Sequence, residues 1–400
     1  MAKPFLVDEL FSNSAPGVYR YDEFARRPAE FSTGVPVFIG KVSNARDEAL
    51  KKPPLLHFWP QFRTMVLHEG KELKDDIVAY AIRGFFQNGG RHCYVVPLYE
   101  TNENTLRAAL EKAALLDVDL VCAPDLTLVP ADPDVPKHSL EQIVVKHCED
   151  MGDRFALLDS HQGASNDDVG NQWSDIDGKN GAIYYPWLRV RSFSDEKGGP
   201  QSLLVPPCGH VAGVYTRTDH ERGGVHKAPA NEPLDGVLDL ERHLTSQDQD
   251  SLNPNRVNCI RSFPGRGIRV WGARTLSGHD EWTYINVRRL FLTAVRWIHC
   301  HLGDVAFEPN TFQLWARIER ELNLYFLGLF RQGALKGSDP REAFYVKCDA
   351  TLNPREVREL GQVVTEIGLA PAKPYEFVVV RLIHGLTGVT VSGPIRPEQN

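Results

Sequence analysis

Three histidines with nearby carboxylates are the side chains in this 400-residue chain whose types best suit metal chemistry. They are His210, His220 and His226, and Asp219 and Glu221 lie in the same region. Imidazole and carboxylate groups are common ligands of zinc and related ions. The spacings of ten and six residues match no zinc pattern, however, and surface histidines are the more common explanation. We therefore predict no metal site and no cofactor.

A serine-hydrolase relay is the second chemistry that the residue types allow. Asp125, His161 and Ser277 supply the three groups of such a relay. The chain has no G-x-S-x-G segment that would place a serine on the strained turn of a nucleophile elbow. Acidic pairs such as Asp167-Asp168 are explained by helix capping and solvation. We therefore predict no catalytic residue.

Ligand binding through glycine-rich loops or aromatic side chains has equally little support. The segments 198–200 and 265–267 lack the lysine and the strand-loop-helix context of a phosphate-binding loop, and turns are expected there. Four tryptophans recur at helical and strand spacing, which is typical of a core rather than of a stacking platform: Trp271, Trp282, Trp297 and Trp315.

Composition describes an ordinary globular protein. Hydrophobic residues make up 42% of the chain, and the 45 basic and 52 acidic side chains give a net charge of −7. Because both signs are interspersed, no basic stripe indicates a nucleic-acid partner. The seven cysteines contain no C-x-x-C pair and fit reduced thiols in a cytoplasm. The apolar runs are too short to span a membrane, so we expect no membrane insertion.

Alternating strand and helix patterns predict a mostly parallel sheet covered by helices. Strands are expected at 35–40, 93–96, 118–122, 155–158 and 182–190, and helices at 75–88, 105–116 and from Ser139, with Gln142 completing a capping box. Short connections between such elements favour parallel strands with helical crossovers. The fold class indicated is α/β for this part of the chain.

The pattern changes after Gly278 and predicts a second, α+β domain. Two long helices at 284–302 and 309–332 precede three strands at 343–348, 362–368 and 376–383. An extended arm is expected at each terminus, and the pattern there is carried by Gly17, Val18 and Tyr19 and by Leu386, Val389 and Val391. Such arms suit strand addition to a sheet of another copy, and the expected accepting sheet contains Phe377, Val378, Val379 and Val380.

Several segments closely resemble the contractile tail sheath family of phages, R-type bacteriocins and extracellular contractile injection systems. They are Pro16–Tyr19 (PGVY), Phe85–Gly90 (FFQNGG), Cys122–Asp125 (CAPD), Tyr184–Trp187 (YYPW), Val205–Gly213 (VPPCGHVAG), Trp271–Leu276 (WGARTL), Tyr284–Leu290 (YINVRRL) and Gly333–Gly337 (GALKG). The resemblance runs from residue 16 to about residue 384. One departure is Cys208, where serine is usual in the family.

The resemblance implies a subunit that assembles as stacked hexameric rings around an inner tube. It also implies four regions: an N-terminal linking arm at 1–25, a subtilisin-like domain at 26–280, a tube-proximal domain at 281–384 and a C-terminal linking arm at 385–400. The extended sheath would be metastable, and its contraction would drive the tube through a target envelope. Basic residues of the C-terminal domain, among them Arg317, Arg320 and Lys336, are candidates for contact with an acidic tube.

The expected partners are copies of this chain, the inner tube protein, baseplate and cap or terminator proteins, and further sheath paralogues. Assembly in the bacterial cytoplasm is expected, in a particle that is either released or anchored in the cell. The alternative function is that of a degenerate subtilisin-like hydrolase. That alternative predicts activity that depends on Ser277 or His161.

Overall fold

The structure is a computed structural model that describes residues 31–69, 76–129, 138–176, 178–193, 202–305, 307–372, 378–385 and 388–395, the last two ranges as backbone. The chain from Thr33 to Asn400 packs as one unit. Within that unit, the domain boundary expected between residues 280 and 281 stays a prediction. None of the described helices is both long enough and apolar enough to cross a membrane.

A nine-stranded sheet organises the chain up to Trp271. The elements of this part are β1 (Pro36–Lys41), α1 (Asp47–Lys51), β2 (Leu55–Leu56), α2 (Ile77–Gln87), β3 (Cys93–Leu98), α3 (Glu103–Ala114), β4 (Leu120–Cys122), α4 (Ser139–Met151), β5 (Phe155–Asp159), α5 (Asn166–Asp175), β6 (Gly181–Tyr185), β7 (Leu188–Arg191), β8 (Ser202–Val205), α6 (Cys208–Glu221), β9 (Glu232–Pro233), β10 (Val237–Leu240), α7 (Ser246–Leu252), β11 (Asn258–Phe263) and β12 (Gly267–Trp271). The strand order is β2-β3-β1-β4-β5-β6-β11-β12-β9. Strands β3 to β11 in that order are parallel, and β2, β12 and β9 are antiparallel additions at the edges.

Helices cover both faces of this sheet. Because successive side chains of a strand point to opposite faces, Phe38 lies in one hydrophobic cluster while Val37 and Ile39 lie in the other. Helices α2 and α6 close the Phe38 face, and α3 and α4 close the opposite face. The mostly parallel α/β sheet predicted from the sequence is thereby confirmed. A separate antiparallel sheet has the order β10-β7-β8.

The C-terminal part contains long helices followed by an antiparallel sheet, as the sequence predicts. Its elements are α8 (Ile285–His301), α9 (Phe312–Arg331), α10 (Pro340–Ala343), β13 (Phe344–Lys347), α11 (Arg355–Glu359), β14 (Val363–Leu369), β15 (Val378–Gly385) and β16 (Gly388–Ile395). The sheet has the order β13-β14-β15-β16. Helix α8 is shared, because Ile285 and Leu292 join the Phe38 cluster while Leu290 and Phe291 join the C-terminal cluster.

Two sequence predictions about local structure are wrong. The single strand expected at 182–190 is two strands, β6 and β7, which belong to different sheets and are separated by the cis peptide Tyr185–Pro186. The capping box expected at Ser139 is absent, because Ser139 is already helical and the N-cap of α4 is His138, whose backbone is left-handed with φ 60°. Asparagine, serine and threonine form capping boxes elsewhere, at Asn102, Ser165 and Thr245.

Candidate functional site

Glycines of helix α6 permit its close contact with α2. A Cβ added at Gly209 would collide with the Ala81 backbone, and one added at Gly213 would lie 2.6 Å from the Asn88 Cβ. The two glycines are four residues apart and therefore share one helix face. The GHVAG part of the motif thus serves helix packing, with His210 buried between the helices.

Two buried asparagines bind the FFQNGG and WGARTL segments to other parts of the chain. Asn88, at the end of α2, donates to the Asp235 carbonyl oxygen at 3.0 Å and accepts from the Asp235 amide at 2.8 Å. Asn258, in β11, makes the same pair of bonds with the main chain of Arg274, each 2.7 Å long. Since buried polar groups need such partners, Asn88 of FFQNGG and the Arg274 main chain of WGARTL have structural roles.

A buried arginine network joins α8 to the main sheet. Arg289 donates two hydrogen bonds to the Asp219 carboxylate, at 2.8 and 2.6 Å, and a third to Asp119 Oδ2 at 3.2 Å. Asp119 also accepts from the Gly34 and Val35 amides. Burial alone would lower the pKa of Arg289, but the two carboxylates outweigh it and raise the pKa. We call Arg289, Asp219 and Asp119 the buried arginine network.

Arginines on either side of Arg289 extend the contact of α8 with the sheet domain. Arg288 donates to Asn180 Oδ1 at 2.6 Å and lies 4.7 Å from the Trp282 ring centre. Its burial lowers the pKa to about 10. Arg296 donates to Asp117 Oδ1 at 2.6 Å. The YINVRRL motif is therefore an anchoring segment rather than a chemical site.

Asp125, His161 and Ser277, the three residues considered for a serine-hydrolase relay, each have different partners in the structure. The Asp125 carboxylate accepts the Lys41 amide, and Ser277 Oγ accepts the His279 amide at 3.1 Å. His161 instead contacts His138 and Glu141. The three types of group are present, but these contacts do not form a proton relay.

The histidines expected to be the best metal candidates are also engaged differently. His210 is 1% exposed, and burial lowers its pKa to about 3, so its imidazole is neutral. His226 is buried too, and desolvation lowers its pKa. Within the described ranges, the one group of three or more histidine, cysteine or carboxylate side chains whose ligand atoms converge lies elsewhere, at His138, Glu141 and His161.

We call these three residues the histidine cluster. His161 Nε2 lies 3.1 Å from His138 Nδ1, and each of these nitrogens lies 3.4 Å from Glu141 Oε1. Glu141 occupies the first turn of α4, and its side chain is 5% exposed. Burial alone would raise the pKa of Glu141, but hydrogen bonds from His138 and His161 lower it to about 2, so the carboxylate is ionised.

Two further groups orient the imidazoles of the histidine cluster. His161 Nδ1 lies 3.2 Å from the Thr127 carbonyl oxygen, which can only accept, so Nδ1 carries the hydrogen. His138 Nε2 lies 3.9 Å from Asp175 Oδ2. Thr127 and His161 follow β4 and β5, whose carboxyl ends are neighbours because the strands are parallel. This is the sheet edge at which α/β proteins usually bind ligands.

Sequence analysis missed the histidine cluster, although two signals for it exist. His138 and Glu141 are three residues apart at a helix start, a spacing that places both side chains on one face. His161 lies just after the next strand along the chain, hence near the same sheet edge. The 20-residue separation between Glu141 and His161 hides the group from any search for short motifs.

Comparison with known proteins gives the family. The protein-family model described as "Phage tail sheath protein central domain" matches residues 100–276 of this chain. A sheath chain in the cryo-EM structure of the contracted anti-feeding prophage helical sheath is 31% identical, with coverage of 92% of this chain and 98% of that chain and a TM-score of 0.70. The chain belongs to the phage tail sheath family. Since it is a family of structural proteins, the hydrolase alternative is not supported.

Other relatives of this sheath protein come from related particles. A chain of the anti-feeding prophage baseplate is 32% identical (92% and 98% coverage, TM-score 0.71). A chain of the contracted sheath of the extracellular contractile injection system PVC is 27% identical (92% and 96% coverage, TM-score 0.70). The tail sheath protein of Vibrio phage KVP40 is 26% identical over 191 residues, 47% of this chain and 28% of that protein. The matched segments thus span less than half the length of the curated relatives.

The predicted assembly residues of this sheath protein lie in several settings. Gly17, Val18, Tyr19, Phe377 and Leu386 lie outside the described residues. Val378, Val379 and Val380 begin β15, and Val389 and Val391 belong to β16, which pairs with β15 of the same chain. Arg320 and Lys336 are exposed on the C-terminal part. Arg317 is half-buried and bonds to Glu308 and, at 3.0 Å, to Glu321.

Proposed function

We propose that this chain polymerises as stacked hexameric rings around an inner tube and contracts to drive that tube through a target envelope. The observation that carries the proposal is the 98% coverage of a sheath chain seen in a contracted helical sheath. Its expected partners are further copies of itself, the tube protein, baseplate and cap or terminator proteins, and sheath paralogues. Assembly in the bacterial cytoplasm, followed by release or anchoring of the particle, fits the extracellular system among its relatives.

The division of labour that we propose follows four regions. Residues 26–280 form a subtilisin-like domain, residues 281–384 form a tube-proximal domain, and residues 1–25 and 385–400 are linking arms. The nine-stranded sheet and the four-stranded sheet support the two domains. Helix α8 supports their rigid connection, because it contributes to the hydrophobic clusters of both and carries Arg289.

The linking role of the C-terminal arm is supported by the pairing of β16. In the single chain this strand adds antiparallel to β15, with Val391 opposite Leu382 and Val389 opposite His384. The sheet therefore accepts this sequence at this edge. We propose that in the assembled sheath the same position receives the arm of a neighbouring subunit, which is β-strand addition between copies. Phe377, Val378, Val379 and Val380 belong to the proposed accepting segment.

Contraction is proposed to exchange one set of contacts between subunits for a larger set. Phe307, Phe312 and Leu324 are 98%, 75% and 64% exposed and offer apolar surface for such contacts. Burying about 200 Å² of additional apolar area per subunit would release at most ~5 kcal/mol. The extended sheath would persist through a kinetic barrier until a trigger acts.

Contact with the tube is proposed for basic side chains of the C-terminal domain. Arg320 and Lys336 are the stronger candidates because they are exposed. Arg317 is the weaker one, since Glu308 and Glu321 already neutralise its charge within the chain. An acidic tube surface would complement the first two residues.

Electron microscopy of the full-length chain, purified and concentrated alone, tests the function. We expect hollow, helically striated tubes. If the chain stays monomeric, tube protein is added, and failure to form a sheath around it would contradict the proposal. Ser277→Ala serves as a control, because a structural protein should assemble normally without this hydroxyl.

Deletions test the arms separately. Removal of residues 1–20 or 386–400 should leave a folded subunit, judged by circular dichroism, that forms no sheath. A matched pair refines the second deletion: Val391→Pro removes a main-chain donor from β16 and should block assembly, whereas Val391→Ala should not. Normal sheaths from either deletion would contradict the role of that arm.

A further inference from the structure

The histidine cluster has the geometry of a cation site. Its three ligand atoms form a nearly equilateral triangle with sides of 3.1, 3.4 and 3.4 Å. The point equidistant from them lies about 1.9 Å from each, so an ion slightly above their plane reaches the usual zinc distances of roughly 2.0–2.1 Å to nitrogen and 2.0–2.2 Å to oxygen. We propose that His138 Nδ1, His161 Nε2 and Glu141 Oε1 bind one Zn²⁺ ion.

One cation can serve all three ligand atoms of the cluster. Because His161 Nδ1 donates to the Thr127 carbonyl oxygen, loss of the Nε2 proton that His161 donates to Glu141 leaves the Nε2 lone pair facing the other two ligand atoms. A single proton can be shared by only two of the three ligand atoms. A cation at the centre satisfies all three at once, and it compensates the charge of the buried Glu141 carboxylate.

The surroundings supply the outer contacts typical of metal-bound histidines. Such ligands usually donate their second nitrogen to a carbonyl or carboxylate, which fixes the orientation of the ring. The Thr127 carbonyl oxygen accepts the hydrogen bond from the second nitrogen of His161. The Asp175 carboxylate lies 3.9 Å from the second nitrogen of His138. The ion would therefore join the start of α4 to the segment that follows β5, and Thr127 ties that segment to the one after β4.

The ligand set also indicates the class of ion and the coordination number. Two imidazoles and one carboxylate suit Zn²⁺, whereas Ca²⁺ and Mg²⁺ prefer all-oxygen sites. The side chain of His161 is 37% exposed, and a tetrahedral Zn²⁺ ion would take its fourth ligand from outside these three side chains. This inference goes beyond the sheath function and does not depend on it, because ion binding is measured whether or not the chain polymerises.

Titration of the full-length, chelator-treated chain with ZnCl₂ against a chromophoric competitor tests the site. We expect one Zn²⁺ per chain, undiminished by excess Mg²⁺ and Ca²⁺, and a Co²⁺-loaded form with the visible absorption of tetrahedral cobalt. Zn²⁺ should raise the melting temperature, because it binds the native state. His161→Ala and Glu141→Gln should each abolish the stoichiometric site, the cobalt spectrum and the thermal shift.

Matched controls exclude other zinc ligands. His243→Ala removes an exposed histidine that lies 3.1 Å from a single carboxylate, Asp239, and should change nothing. Cys300→Ser removes the exposed thiol and should also change nothing. Melting curves recorded with chelator check the fold of each variant, and His161→Ala suffices if Glu141→Gln does not fold. Wild-type protein without stoichiometric zinc, an intact site in His161→Ala, or loss of zinc in Cys300→Ser would overturn the proposal.

Discussion

Replacing Arg289 by methionine tests how strongly the buried arginine network holds α8 to the main sheet. Methionine keeps an apolar stem but removes three hydrogen bonds, two to Asp219 and one to Asp119. The Asp219 side chain is 0% exposed, so it would keep a buried charge without its main partner. Breaking a buried pair in this way costs about 3–5 kcal/mol. That is a large fraction of the roughly 5–15 kcal/mol that stabilises a typical domain.

Urea unfolding followed by circular dichroism measures the effect on the free energy of unfolding. Arg107→Met is the matched control, because Arg107 pairs with Glu103 on the exposed surface of α3 and should lose less than about 1 kcal/mol. Adding Asp219→Asn to Arg289→Met removes the stranded charge and should recover part of the loss. The reasoning is refuted if Arg289→Met costs no more than Arg107→Met, or if the second substitution adds its full cost.

Two further predictions concern helix packing and pH. Gly209→Ala should destabilise the chain by about 1–3 kcal/mol because the added Cβ would collide with the Ala81 backbone. Gly328→Ala is the control: this helical site has open space, and the substitution should stabilise the chain by up to about 1 kcal/mol. Equal effects of the two substitutions in urea unfolding would contradict the packing argument. Burial raises the pKa of Asp159 to about 7 in the folded protein. Its protonated carboxyl therefore stabilises the fold fully at pH values below the pKa of the unfolded chain, and this stabilisation is lost as the pH rises through 7. Asp159→Asn should therefore reduce the loss of stability between pH 5 and 8 by up to about 1 kcal/mol per pH unit, and parallel curves for the two proteins would refute this cause.

The layered sheet was predictable because its signal is local. The alternation of apolar residues in β1 and their helical periodicity in α2 are patterns among residues close together in the sequence. The short connections between strands and helices then favour parallel pairing of the strands. The division of 182–190 into two strands was not predictable from hydrophobicity, since Pro186 interrupts a run that stays apolar on both sides. The chain leaves the main sheet there and enters another.

The histidine cluster was not predictable for a different reason. Its members come from separate segments, and their convergence depends on the parallel pairing of β4 with β5 and on the left-handed backbone of His138. A left-handed N-cap has no reliable sequence signal here, because positive φ is uncommon even in histidine, one of the non-glycine residues in which it is enriched. The YINVRRL motif was recognised in the sequence, and it is an anchor because Arg289 pairs with Asp219 and Asp119, two buried acids that lie far away in the sequence.

The sharing of α8 between two cores bears on how the subunit loses its structure. If the C-terminal helices and sheet came apart, Leu290 and Phe291 would be exposed, and α8 would no longer be held on the side that faces them. Its other face, with Ile285 and Leu292, completes the core beneath the main sheet. Neither core can therefore melt without weakening the other. This coupling favours a single cooperative unfolding transition. If subunits rearrange on contraction as we propose, each one can move as one body, and the mechanical work is then done at the contacts between subunits.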